Sequence, residues 1–252
     1  MFIYAVVTAA GLEITHMFRK KTPRPHATAV IVAAGNSRRM GYGLNKQFIL
    51  IGGVPTLAHT LRQFDRAKSI TDTIVVCRSD DILNVRGILD DFGIEKVSAI
   101  IPGGATRQES VYAGINAASH ADIIAIHDGA RPFVSPSKID MTVAEAQKTG
   151  AAALGVPLKD TVKITDGNGT IVSTPERSAL ALIQTPQTFS ADVIRQAYEN
   201  AERTGFIGTD DCSLVENIGG TIRIIDGDYT NIKVTTPDDL PIAQAIYSFL
   251  NK

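Results

Sequence analysis

The chain has 252 residues, 44% hydrophobic content and a formal net charge of −1, enough for one large domain and without the composition of a disordered segment or a global nucleic-acid binder. It lacks Trp and has 6% aromatic residues, which argues against broad base-stacking platforms. The charge is uneven: from Ile14 to Phe64 there are eight basic residues and no acidic one, while the remaining 17 basic residues face 26 acidic ones. A local excess of this kind marks a place where an anion can be held.

The first residues, Met1 to Leu12, are apolar and precede the basic cluster rather than follow it, the reverse of a secretory signal. Residues 1–26 are therefore expected to form a poorly ordered leader, with Met17 an alternative start, and 27–252 a single domain. Thr28 to Ala33 is a short β-branched strand ending in a Gly-rich loop. Pro55 to Arg66 reads as a helix, Thr73 to Cys77 as a buried strand, and Asp80 to Phe92 as an amphipathic helix stopped by Gly93. Strands at Val97 to Ile101, Ile123 to His127 and Ala151 to Val156 alternate with helices at Arg107 to Ala118 and Ser137 to Lys148. Strands apolar throughout and separated by helices predict an α/β fold: a Rossmann-like, doubly wound, mostly parallel sheet covered on both faces.

The alternation breaks between about 157 and 184. Val162, Ile164, a Gly167-Asn168-Gly169 turn, Ile171 and Val172 predict a β-hairpin arm with little core of its own, suited to packing on a second copy of the chain. A strand at Thr221 to Ile225, a short β run at Asn231 to Thr235 and a helix from Asp238 complete the chain. Cys77 and Cys212 lie too far apart in sequence for a metal or disulfide framework, which fits a reducing cytoplasm. No apolar run is long enough for a membrane span.

In open α/β sheets ligands bind at the carboxyl ends of the strands. After the first strand comes Ala33-Ala34-Gly35-Asn36-Ser37-Arg38-Arg39-Met40, then Lys46: small residues and cations that suit a triphosphate, in neither a dinucleotide nor a Walker pattern. After the third comes Pro102-Gly103-Gly104 with Arg107 and Ser110, open to a flat ligand such as a base. After the fourth comes His127-Asp128-Gly129-Ala130-Arg131. Asp128 can bind Mg²⁺, directly or through water, or a ribose hydroxyl, or it can serve as a turn cap paired with Arg131. His127 reads as a buried strand-end residue rather than a general base. Thr209-Asp210-Asp211 is either an active-edge loop or a helix start, and Lys233, followed by Thr235, suits a bound phosphate.

The stretches AAGNSRRMG…NKQF, PGGATRQESVYAGI, HDGARPFV, VPLKDTVK, ERSALALIQTPQTF, TDDCSLVE and NIKVTTPDDL, in this order from Thr28 onward, resemble one family: the 2-C-methyl-D-erythritol 4-phosphate cytidylyltransferases of the non-mevalonate isoprenoid pathway. The resemblance implies CMP transfer from CTP to the methylerythritol phosphate, with release of pyrophosphate, a Mg²⁺ requirement, and a homodimer whose hairpin arms reach the partner's site. It implies catalytic roles for Arg39 and Lys46 at the transition state and for Arg177 and Lys233 in positioning the sugar phosphate. By the same match Ala33, Ala34, Gly35, Gly104, Arg107, Ser110, Asp128, Arg131, Thr161, Thr185, Thr209 and Thr235 are substrate-binding. Asn45 stands where the family usually has Pro, and Gly129 where Ala is usual. Two alternatives share many of these features: a ribitol 5-phosphate cytidylyltransferase, and a catalytically silent nucleotide-binding regulator.

Overall fold

The computed structural model describes residues 6–8, 11–13, 25–35 and 46–251. Before the main sheet begins, β1 (Val6–Thr8) and β2 (Gly11–Glu13) pair antiparallel. The domain then runs β3 (Ala27–Val32), the hairpin β4 (Leu50–Ile51) and β5 (Val54–Pro55), α1 (Thr56–Arg66), β6 (Asp72–Cys77), α2 (Ile82–Phe92), β7 (Val97–Pro102), α3 (Arg107–Ala117), β8 (Ile123–Asp128), α4 (Pro136–Thr149) and β9 (Ala151–Pro157). It closes with β10 (Ile164–Thr165), β11 (Ile171–Ser173), β12 (Ala181–Ser190), α5 (Ala191–Thr204), α6 (Asp211–Asn217), β13 (Arg223–Asp226) and α7 (Asp239–Leu250).

Seven strands form one sheet in the order β13-β9-β12-β8-β3-β6-β7, parallel except for β12, which runs antiparallel to both neighbours. β8 is buried along its whole length and β3 nearly so, because helices cover both faces. The pleat sorts the side chains: Ala29 and Ile31 face Leu57, Leu61, Phe64 and Ile139, whereas Val30 faces Val111, Ile115, Ile194 and Tyr198. The two apolar layers make this the expected doubly wound α/β fold. Gly93 ends α2 at φ +59°, a left-handed conformation that glycine adopts without steric cost.

Three elements depart from the sequence expectations. Ala181–Gln184, counted with the arm, already belong to β12, a ten-residue strand through the middle of the sheet. Its register shifts between Ile183 and Gln187, and the Thr185–Pro186 peptide there is cis. Asn231 to Thr235 is not a strand; Asn231 N–H donates locally to the Asp228 carbonyl at 3.0 Å, and Val234 N–H donates to the distant Ala130 carbonyl at 2.9 Å. The hairpin is short, pairing β10 with β11 only, and Ile164, Ile171 and Val172 on it are exposed.

Candidate active site

The carboxyl ends of β8, β3, β6 and β7 open into a cleft of about 430 Å³. Ala34 and Gly35 line it from β3, Arg78 from β6, Gly104 from β7, Arg107 and Ser110 from α3, Asp128 from β8, and Lys233 from the loop before α7. The floor is tight: a Cβ on Gly103 would lie 2.6 Å from the Ala34 Cβ and 2.7 Å from the Ser110 Oγ. The two strand-end loops and α3 can approach this closely only because residue 103 carries no side chain.

The Gly-rich loop begins on a fixed anchor. Ala33 N–H donates to the Val76 carbonyl at 2.7 Å, and the Gln47 side-chain amide donates to the Ala33 carbonyl at 2.6 Å. Gln47 is buried, borders the cleft, and its Oε1 has no partner among the described residues. Residues 36–45, including Arg39 and Asn45, lie outside the described residues, as does the side chain of Lys46, whose backbone opens a 3-10 turn over Lys46–Phe48.

Asp128 is the electrostatic centre. Lys233 Nζ stands 2.8 Å from its carboxylate, Arg107 Nε 3.2 Å and Arg131 Nε 3.7 Å. Burial opposes its ionisation, but Arg107, Lys233 and Arg131 together outweigh burial and hold the carboxyl well below the usual carboxylate range. Arg107 is held from the other side as well. Its Nη2 and Nη1 meet the buried Asp211 carboxylate at 2.8 and 3.1 Å, a bidentate pair. The Tyr198 hydroxyl donates to the same carboxylate at 2.6 Å, and Asp211 N–H donates to Gln187 Oε1 at 3.0 Å. Three cations thus face two carboxylates, leaving one net positive charge on this cluster.

His127 is buried behind Asp128. The Asp128 N–H donates to Thr185 Oγ1 at 3.1 Å, and with the ring proton on Nε2 the Thr185 hydroxyl donates onward to His127 Nδ1 at 3.0 Å. The Arg131 carbonyl, 3.1 Å from Nε2, can only accept, so Nε2 carries the ring proton. Burial lowers the His127 pKa to about 4 and keeps the ring neutral.

Of the residues singled out in the sequence, Ala34, Gly35, Gly104, Arg107, Ser110, Asp128 and Lys233 meet at the cleft. Arg131 and Thr185 lie directly behind Asp128, and buried Ala33 anchors the loop. Thr235 is turned into a cap, its hydroxyl donating to Asp239 Oδ2 at 3.0 Å. Thr209 is exposed just before Asp210, which caps α6 through the Ser213 N–H. Thr161 and Arg177 are exposed on the arm and away from this chain's own cleft, Arg177 Nη1 donating to the Lys159 carbonyl at 3.0 Å. Sequence reasoning passed over Gln47 and Arg78, and did not foresee the pairing of Asp211 with Arg107. The strand-end rule covers Arg78, which immediately follows the Thr73 to Cys77 run.

A family model described as 2-C-methyl-D-erythritol 4-phosphate cytidylyltransferase matches residues 27–248. A protein of that name from Syntrophotalea carbinolica is 47% identical over 219 residues, covering 86% of this chain and 94% of the relative. Another from Bacillus licheniformis is 45% identical over 86% of this chain and 94% of its own length. Among solved structures, a 4-diphosphocytidyl-2C-methyl-D-erythritol synthase from Anaerococcus prevotii superposes with a TM-score of 0.80 at 32% identity, over 90% of this chain and 97% of that one. By this family match and these likenesses, the chain belongs to the 2-C-methyl-D-erythritol 4-phosphate cytidylyltransferase family of nucleotidyltransferases.

Proposed function

We propose that this chain transfers CMP from CTP to 2-C-methyl-D-erythritol 4-phosphate, giving 4-diphosphocytidyl-2-C-methyl-D-erythritol and pyrophosphate, a step of isoprenoid precursor biosynthesis. The observation that carries this is the buried Asp128 carboxylate held by Lys233, Arg107 and Arg131 beside the Gly-rich loop. An oxygen of the acceptor phosphate attacks the α-phosphorus. The bond to the α,β-bridging oxygen breaks, and its electron pair leaves with pyrophosphate. A phosphate monoester is largely dianionic at neutral pH, so no side chain needs to take a proton. The neutral, buried His127 fits that requirement. What the reaction needs is two anions brought together and charge stabilised at phosphorus, work for fixed cations. Lys233 faces the acceptor, Arg39 and Lys46 the triphosphate, and Asp128 holds the surrounding cations in place. The matched family and the named relatives favour methylerythritol phosphate over ribitol phosphate as acceptor.

A divalent cation fits this site on one condition. Among the described residues no group of three His, Cys, Asp or Glu side chains could cage a metal. Mg²⁺ that takes most of its ligands from substrate phosphates and water needs only one or two carboxylates, and Asp128 is the one bordering the cleft. The ion would offset triphosphate charge. The exposed apolar residues of the arm, with Thr161 and Arg177 away from their own cleft, support a homodimer in which the arm serves the partner's site. Two buried free cysteines, and the lack among the described residues of a helix able to cross a membrane, support a cytoplasmic enzyme.

The test is pyrophosphate release with CTP, Mg²⁺ and each polyol phosphate in turn. Turnover with methylerythritol phosphate, abolished by Lys233→Ala, is the expected result. Turnover with ribitol 5-phosphate alone would reassign the acceptor, and none with either would sink the assignment.

A further inference from the structure

Arg78 stands at the carboxyl end of β6, between the Gly-rich loop on β3 and the Gly103–Gly104 turn on β7. At one strand spacing per step it is about 10 Å along the sheet from Asp128 on β8, on the side away from Lys233. Arg78 lines the cleft and its side chain is 46% exposed. The other described cations there are committed: Arg107 lies between two carboxylates, and Lys233 sits on Asp128. Arg78 has one ion pair among the described residues, at 3.4 Å to the neighbouring and largely exposed Asp80, the kind of contact that contributes almost nothing. Ala34, Gly104 and Ser110, all small, line the cleft with Arg78, and no aromatic side chain does so among the described residues. A planar base entering the cleft meets small residues and backbone, with Arg78 as the one weakly paired planar cation among the described lining residues.

We propose that Arg78 is a nucleoside-binding residue, its guanidinium lying against the base and ribose of the bound cytidine nucleotide. This rests on the CTP reading of the cleft and deepens it. Guanidinium groups stack on flat rings because they are planar and weakly hydrated, which an ammonium group is not. The contact is made equally to substrate and transition state, so it appears in affinity and leaves kcat alone.

The experiment compares the full-length protein with Arg78→Ala and Arg78→Lys. Calorimetry measures binding of cytidine 5′-monophosphate and of pyrophosphate, and steady-state kinetics measures KM and kcat. Arg78→Ala should weaken cytidine monophosphate binding and raise the KM for CTP about tenfold, the scale of a partly desolvated cation–π contact. Pyrophosphate binding, the KM for the polyol phosphate and kcat should stay within about twofold, and Arg78→Lys should recover less than half of the lost affinity. Unchanged cytidine monophosphate binding would overturn the proposal and leave Arg78 a surface partner of Asp80. A parallel loss of pyrophosphate binding would overturn it by moving Arg78 to the phosphates. Wild-type protein that binds the monophosphate but releases no pyrophosphate with any acceptor would count against the transferase reading alone, with the Arg78 comparison still decided by calorimetry.

Discussion

Replacing Asp211 by asparagine keeps the shape of the side chain and removes one charge from beneath Arg107. Asp211 is 1% exposed, and among the described residues it is the only carboxylate that meets Arg107 through two nitrogens. Removing one partner of a buried ion pair costs about 3–5 kcal/mol. That figure is reduced here because the Arg107 side chain is 32% exposed and keeps Asp128 at 3.2 Å, so about 2–3 kcal/mol is expected. At ~2–4 °C per kcal/mol for a domain of this size, the unfolding midpoint should fall by roughly 4–12 °C. Function should suffer separately. Arg107, released from Asp211, draws closer to Asp128 and competes there with Lys233 and Arg131, so kcat/KM for CTP should fall about tenfold, the size of a typical site coupling. Tyr198→Phe is the control: it removes only the hydroxyl donor to Asp211, should cost ~1 kcal/mol, and should leave kinetics unchanged. Thermal unfolding and pyrophosphate-release kinetics on the three proteins decide the matter. Equal midpoints and equal kcat/KM in wild type and Asp211→Asn would refute the clamp.

Other consequences follow from the proposed function and from the buried His127. Lys46→Ala should lower kcat by ~10²-fold or more, the cost of one transition-state charge contact, and near-normal turnover would remove Lys46 from the mechanism. Mixing an Arg177→Ala protein with a Lys46→Ala protein should restore activity, because some heterodimers then hold one intact site; no recovery on mixing would refute a site shared through the arm. His127 gives a pH signature. Its folded pKa of about 4 lies below the unfolded value, so the unfolded chain binds the extra proton first, and stability is lost as pH falls from about 6.5 to about 4. The loss approaches ~3 kcal/mol across that window. His127→Gln should flatten the urea-midpoint slope between pH 6.5 and 4.5, and an unchanged slope would assign the effect to another group.

Where local pattern and long-range packing agree, the sequence was sufficient. β3, β6 and β8 are buried on both faces, so every residue along them answers to the same apolar demand, and the run itself marks the strand. The helix stop at Gly93 is as local, since one left-handed residue ends α2. β12 was missed for the opposite reason. Its central residues Gln184, Thr185 and Gln187 are polar yet buried, and each is satisfied from far along the chain: Gln184 by Asn231 and Asp228, Thr185 by His127 and Asp128, Gln187 by Asp210 and α6. No window of neighbouring residues contains those partners. The Asn231 to Thr235 run fails in reverse. Its alternation mimics a strand, but the Asn231 carbonyl is taken by Arg131 and the Val234 N–H by Ala130, so it folds back against the β8 loop and brings Lys233 onto Asp128. The same divide separates the parts of the site. The Gly-rich loop and Asp128 announce themselves as strand ends, but the bond that fixes Arg107 spans 104 positions to Asp211, whose sequence context says only that a helix begins there. The helix does begin there, and starting α6 at that point is what aims the Asp211 carboxylate beneath the arginine.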